Sequence, residues 1–413
     1  MNTKVKDINI EDYDYPLPDE RIAKYPLPER DASKLLIFNG KDISDAHFRD
    51  ICRFLPEKSL LVLNETKVVR ARLSFRKESG AAIEIFCLDP VNDDYQVSFA
   101  STKEVRWHCL VGNSRRWHDG ILSMPLNING KEVILNAERI DKNDESSTVR
   151  LFWSPEGLSF AEVLEAAGEV PLPPYLHRDA ETSDRERYQT VFAHYDGSVA
   201  APTASLHLTE KLIGEIKAAG HDMTKITLHV GAGTFRPVST DKIGDHQMHS
   251  ETIILKKNAI EEILKAVKEK RTVIPVGTTS MRTLESLYWL GVMIKKDGFA
   301  PRVLHVSQWV PYQDDVLSGG EESLETVLKY LEENHLDHLQ AMTSLMIAPS
   351  CPIMLTKGLI TNFHQPKSTL LLLVSALIGE RWKECYRYAL DNDFRFLSYG
   401  DSCLFLPLDF LTI

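Results

Sequence analysis

Between Arg70 and Phe152, apolar and polar residues alternate in short runs. Examples are Ala82-Ile83-Glu84-Ile85-Phe86, Tyr95-Gln96-Val97-Ser98-Phe99, Val133-Ile134-Leu135 and Thr148-Val149-Arg150-Leu151, with Asn, Asp and Gly between them. A period of two broken by turn residues marks half-buried antiparallel strands, and helical spacing is missing here. The stretch predicts a small antiparallel β-barrel or sandwich inserted in the chain, residues 71–152. Elsewhere the texture differs. The opening residues predict a loop and a short helix, while Leu35 to Phe38 and Ser59 to Leu63 are continuous apolar runs that predict buried strands. After Ser154 helix-like and strand-like segments alternate. SFAEVLEAAG opens on a Ser cap and stops at a Gly, and TEKLIGEIKAAG repeats that pattern before the strand Lys225 to Val230. KNAIEEILKAVKEK then leads into the strand Thr272 to Val276, and TSMRTLESLYWLG starts a helix directly out of Gly277. The fold class is therefore α/β, with a main α/β domain (1–70 and 153–413) and an inserted small antiparallel β-barrel domain. Residues 313–345 are acidic and helix-prone and predict an inserted or peripheral helical hairpin.

Two strand exits are rich in glycine. TLHVGAGTFRPV ends a strand in Gly231-Ala232-Gly233-Thr234, and VIPVGTTSMRTLES places Gly277, Thr278 and Thr279 at a helix N-terminus with Arg282 one turn in. Such turns bring backbone N–H groups close to an anion or carboxylate. In open α/β sheets, sites gather at the C-terminal ends of strands. Phe235-Arg236 follows Gly233, so this is no dinucleotide fingerprint, and a plain strand exit or helix cap explains the same spacing. Histidines stand at His207, His229, His246, His249 and His364. His246-x-x-His249 lacks a third ligand, so no metal is predicted. His249-Ser250-Glu251 can position a base, although each histidine is also explained by packing. In ITNFHQPKSTLLLLVSALIGE, Ser368 or Thr369 can cap a helix, and Lys367 sits against the helix dipole, which points it towards a substrate phosphate. For nucleic acid the candidates are Arg70, Arg72, Arg76, Lys77 and the stretch VRWHCLVGNSRRWHDG, with Trp107, Arg115, Arg116 and Trp117. A solvated barrel face over two core tryptophans reads equally well.

Composition narrows the classes. The chain has 413 residues, 43% apolar and 26% charged, with a formal charge of −11. No global field draws nucleic acid, so any RNA contact is a local basic surface. The longest apolar run, Leu370 to Ile378, falls short of the ~20 residues of a membrane span, and MNTKVKDINIEDYDYP has no apolar signal region. Six scattered cysteines without a CxxC pair predict reduced thiols in a cytoplasmic protein.

Taken together, YPLPERDASKLL, LVLNETKVVRARL, GEVPLPPYLHR, ERYQTVFA, GSVAAPTASLHLT, TLHVGAGTFRPV, HQMHSE, VGTTSMRTLES, TNFHQPKSTLLLLVSAL and YGDSCLF resemble the S-adenosylmethionine:tRNA ribosyltransferase-isomerases of queuosine biosynthesis. The strings run in family order over almost the whole chain. Departures are Ser205 and Leu208 where the family usually has Gly and Phe, a missing Asn-Pro before the Gly of YDGSVAAPT, and MIAPSCPIML in place of a Tyr-Pro-Gly-Tyr segment. The resemblance implies an α/β fold with an inserted barrel. It also implies transfer and rearrangement of the ribosyl part of S-adenosylmethionine onto 7-aminomethyl-7-deazaguanine in a tRNA anticodon loop. Epoxyqueuosine-tRNA, adenine and methionine would be the products. The implied partners are that tRNA and S-adenosylmethionine as a substrate, with no metal, no redox cofactor and no membrane, for a monomer in the cytoplasm. A sulfonium acidifies the ribose C5′ hydrogens, so the chemistry needs a base, an acid for adenine and exclusion of water. On this reading His249 with Glu251 leads the proton chemistry, and His207, His229, His364 and Asp401 are further catalytic candidates. The substrate would be held by Gly231, Gly233, Thr234, Gly277, Thr278, Thr279, Arg282, Asn362, Lys367, Ser368 and Thr369, and RNA by Arg70, Arg72, Arg115 and Arg116. Two rivals are an S-adenosylmethionine-dependent RNA methyltransferase and a tRNA-binding relative with lost or altered activity.

Overall fold

The computed structural model describes residues 3–77, 79–91, 95–143, 146–230, 238, 240–299, 304–313 and 318–407. In chain order the first strands are β1 (Lys34–Phe38), β2 (Ile43–His47), β3 (Leu60–Asn64) and β4 (Thr66–Val68). The alternating stretch gives β5 (Arg72–Arg76), β6 (Ala82–Pro90), β7 (Glu104–Gly112), β8 (Leu122–Ile128), β9 (Lys131–Lys142) and β10 (Ser147–Ser154). Then come β11 (Tyr195–Ser198), β12 (Asp222–His229), β13 (Glu251–Lys256), β14 (Val273–Val276), β15 (Leu304–Val306), β16 (His338–Thr343), β17 (Leu359–Asn362) and β18 (Ser402–Phe405).

Ten strands form one mixed sheet in the order β15-β16-β13-β12-β3-β14-β17-β18-β1-β2. Its centre, β12-β3-β14-β17, is parallel. Both faces of such strands are covered, which is why β3, β14 and β17 are buried at every position and largely apolar, the polar Asn64, Thr361 and Asn362 lying at strand ends. A second sheet, β5-β6-β7-β10-β9-β8, is antiparallel. Its buried positions alternate, as in β10, and its edge strands β5 and β8 approach each other, so it curls into a nearly closed barrel. Trp107, Trp117 and Trp153 fill that barrel. A parallel pair, β4 with β11, completes the strands.

The helix signals read well at their starts. Ser159 and Glu162 form the reciprocal capping box of the helix Phe160–Ala167, and Thr209 caps Glu210–Ala218. Three expectations are corrected. Tyr95 to Phe99 is no strand; it lies in the helix Tyr95–Ala100, and Tyr95 and Phe99 both reach Trp107. Residues four apart share a helical face and also satisfy a period of two, so five residues cannot separate the two. Residues 313–345 are no helical hairpin either. They hold the helix Gly320–Glu333 and then β16, in the second position of the ten-stranded sheet. Leu324, Val327 and Leu331 give that helix a buried stripe, and Leu339 and Ala341 alternate along the strand. Finally, β13 is the next described strand after β12 and pairs with it antiparallel, not through a parallel crossover; among the described residues the strand–glycine–helix exit is seen at Gly277. Gly231, Gly233 and Thr234 lie outside the described residues. All six cysteines are free thiols, five of them buried.

Candidate active site

β14 runs out of the sheet into Gly277, whose φ of +98° is closed to ordinary side chains. The Gly277 N–H donates to Ile360 of β17 (2.8 Å), and the buried helix Thr278–Asp297 begins at once. Ser280 and Thr283 hydroxyls donate to the Val276 and Thr279 carbonyls (both 2.9 Å), fixing the first turn. β17, hydrogen-bonded beside β14, ends at Asn362 and leads to a second helix start. There Ser368 Oγ accepts from Leu371 N–H (3.2 Å) and donates to the Gln365 carbonyl (2.7 Å), opening the helix Thr369–Ile378. Neither helix carries an acidic residue in its first turn, so the positive ends of both dipoles are left for another anion. Both starts face two adjoining cavities of ≈ 200 and ≈ 100 Å³, which share Thr278, Thr279, Thr369 and Leu370.

The larger cavity is lined by His249, Arg282, Met346 and Ile347. Glu251, at the start of β13, is fully buried; one oxygen accepts from His249 Nε2 (3.0 Å) and the other contacts the Arg282 guanidinium. Burial lowers Arg282 to about 10, which leaves it cationic at neutral pH beside its carboxylate. The His249 side chain is 31% exposed. His249 and Arg282 thus both line the cavity and share Glu251 buried behind them. A carboxylate on one ring nitrogen makes the other the basic one and stabilises the imidazolium once formed. The His246–Met248 segment is pinned by Gln308, which donates to the His246 carbonyl (2.7 Å) and accepts from Met248 N–H (3.0 Å).

The other histidines sit differently. His364 lines the second cavity, with Nε2 3.0 Å from Thr361 Oγ1, and burial pushes it down to about 3. His207 pairs with Ser33 (2.8 Å), and burial holds it at about 4. His229 lies in a third cavity of ≈ 590 Å³ with Tyr95, Lys225 and Lys256; it touches Thr66 Oγ1 (3.1 Å), stacks on Tyr95 and is held at about 4 by burial. Asp401 ties its loop to the start of β1, accepting from the Lys34 and Arg395 N–H groups and pairing with the Arg395 guanidinium. Asn362 lines the second cavity and donates to the Leu397 carbonyl. Lys367 turns its ammonium to Glu11 and Asp14.

Of the arginines proposed for RNA, Arg70 pairs with Glu165 and Arg72 with Glu84, whereas Arg115 and Arg116 are exposed on the turn Ser114–Arg116. Trp107 and Trp117 are core residues and offer no stacking face. Sequence reasoning missed several wall residues. Met346 and Ile347 belong to the segment that departs from the family pattern, which was the available signal. Tyr175, Tyr188 and Ser398 line the second cavity from distant parts of the chain, with Tyr175 and Ser398 hydroxyls 2.5 Å apart. Among the described residues no three His, Cys, Asp or Glu side chains converge as metal ligands, and no helix is long and apolar enough to cross a membrane.

The family described as queuosine biosynthesis protein matches residues 10–317 and 321–405. An S-adenosylmethionine:tRNA ribosyltransferase-isomerase of Chlorobium luteolum is 37% identical over 402 residues, covering 97% of this chain and 100% of its own. One from a Sulfurihydrogenibium species is 37% identical over 404 residues, covering 96% and 99%. The crystal structure of an S-adenosylmethionine tRNA ribosyltransferase from Thermotoga maritima, 26% identical, covers 95% of this chain and 99% of its own at a TM-score of 0.47. By both its family match and its near full-length relatives, the chain belongs to the S-adenosylmethionine:tRNA ribosyltransferase-isomerases of queuosine biosynthesis.

Proposed function

We propose that the paired cavities hold S-adenosylmethionine and that this chain moves its ribosyl part onto 7-aminomethyl-7-deazaguanine in a tRNA anticodon loop, with loss of adenine and methionine. The observation that carries the site assignment is the linked trio His249–Glu251–Arg282, whose His249 and Arg282 line a cavity faced by two uncompensated helix N-termini. The Thr278 and Thr369 amides are suited to the methionyl carboxylate, and His249 to the acidified C5′ proton. Glu251 then stabilises the imidazolium, and the apolar walls Met346, Ile347 and Leu373 keep water from the ring-opened intermediate. The reading uses S-adenosylmethionine as a substrate, with no metal or redox cofactor. It treats the barrel, residues 71–152, as a domain inserted into the α/β part. Incubation with S-adenosylmethionine and a tRNA bearing the aminomethyl base, followed by nucleoside mass spectrometry, tests it. Epoxyqueuosine with free adenine is the expected result; S-adenosylhomocysteine would instead mark methyl transfer.

A further inference from the structure

The chain carries 59 acidic against 48 basic residues, and most arginines that are buried or part-buried find a carboxylate. Arg21, Arg70, Arg72, Arg178, Arg271, Arg282 and Arg395 all do. Of the rest, Arg139 lies over the Trp117 ring, which leaves Arg30 and Arg187. Both are half-buried and line one recess together with Ser33, His207, Arg395 and Ser398. Arg30 donates to the carbonyls of Leu206 (3.2 Å) and Glu186 (2.8 Å), and Arg187 to those of Pro28 (3.1 Å) and Leu27. Among the described residues neither forms an ion pair, and Arg187 Nε is a buried donor with no acceptor. Burial first, and then the neighbouring Arg187, hold Arg30 below the ordinary arginine value; the Glu186 carboxylate stands nearby but outside ion-pair reach. Two adjacent guanidiniums that share a recess with no carboxylate in ion-pair contact repel each other, and the two unesterified oxygens of a phosphodiester relieve that repulsion. Each guanidinium has five in-plane donors, of which two are used here, so N–H groups remain for contact with an anion.

We infer that this recess, walled by Arg30, Arg187 and Arg395, binds a backbone phosphate of the RNA substrate beside the reacting base. The inference rests on the RNA-substrate reading above and names the surface that reading needs. Placement argues for RNA over a free anion. Ser398 lines both this recess and the second cavity, so the phosphate would sit next to the base and ribosyl groups. The basic surface also continues: Arg185 is exposed and close enough to Arg70 to oppose its charge. The recess itself, ≈ 20 Å³, suits the two outward oxygens of a chain phosphate more than an engulfed ion.

The first test compares the salt dependence of binding to a synthetic anticodon stem-loop RNA for the unaltered protein and for Arg30→Gln with Arg187→Gln. Losing the phosphate contact should weaken binding roughly ten- to a hundredfold and flatten the logarithmic salt slope by about one unit. An unchanged slope overturns the inference. These arginines also staple residues 27–30 to 186–187, so a second measurement uses the unaltered protein. Phenylglyoxal labelling read by peptide mass spectrometry should show Arg30 and Arg187 protected by the RNA, and not by inorganic phosphate at equal phosphate concentration. Equal labelling with and without RNA, or equal protection by inorganic phosphate, overturns it. Absence of any RNA binding by the unaltered protein removes the RNA-substrate reading itself, a result distinct from RNA binding that ignores these arginines.

Discussion

His249 differs from the other candidate histidines in what surrounds its ring. His207, His229 and His364 are buried against hydroxyls and held at about 4, 4 and 3, so each is neutral in the working range and a poor proton acceptor. His249 is part-exposed at a cavity and bonded to an anionic partner. Replacing His249 by Gln should lower the single-turnover rate of adenine release about 10²–10⁴-fold. Its melting temperature should stay within a degree or two, because the ring is not core packing. Glu251→Gln should behave otherwise. It leaves the Arg282 guanidinium buried without its carboxylate, a loss on the order of 3–5 kcal/mol that urea unfolding would register. A His249 variant that turns over at the normal rate would move the proton work to another group.

At the scale of elements, the site depends on a strand that stops at one residue. Gly277 has φ +98° and ψ 150°, a region essentially reserved for glycine, where a side chain costs on the order of 1–3 kcal/mol. Gly277→Ala should tilt the first turn, and calorimetry should find S-adenosylmethionine bound at least tenfold more weakly. Gly291, further along the same helix, makes a separate prediction. A Cβ there would fall 2.1 Å from Ser323 Oγ and 2.3 Å from the Ser323 carbonyl oxygen, where the helix Gly320–Glu333 crosses. Gly291→Ala should cost about 1–3 kcal/mol by overpacking, with the rate per folded molecule intact. That crossing shows why the acidic helix misled as a peripheral element: its polar face dominates the composition, while Leu324, Val327 and Leu331 are few and its strand β16 follows without a strong turn signal. Local patterns were sufficient where the physics is local. The capping box at Ser159, the glycine exit at 277 and the barrel's alternation are each set by residues only a few positions apart. The order of ten strands, and the meeting of Tyr175, Met346 and Ser398 at one site, depend on contacts hundreds of residues apart, which no local period encodes.

For the whole molecule, the buried histidines couple folding to pH. His207, His229 and His364 sit in three different parts of the structure, and each is lowered by burial from an ordinary value near 6.5. In the unfolded chain all three take up a proton as pH falls through 6.5; in the folded chain they do so only near 4 or below. The unfolded state therefore binds more protons across this window, so stability is greatest above it and falls as the solution is acidified towards pH 4. Each histidine contributes up to about 1.4 kcal/mol per pH unit once the unfolded form is fully protonated. His221 and His246, also lowered by burial, act in the same direction. Glu285 acts against them. Burial raises its carboxyl although the Met354, Leu355 and Thr356 N–H groups hold it down, so the folded state keeps a proton there longer as pH rises. Most carboxylates titrate below pH 5, which leaves pH 6.5 to 5 as the histidine window. Urea unfolding between those values should show a stability slope that steepens towards the three protons of His207, His229 and His364, with a further contribution from His221 and His246. His364→Gln, which keeps a polar group towards Thr361, should reduce that slope by about one proton and leave the remainder. A flat profile in the parent protein would mean that these rings are solvated enough to titrate normally and that burial does not hold them neutral.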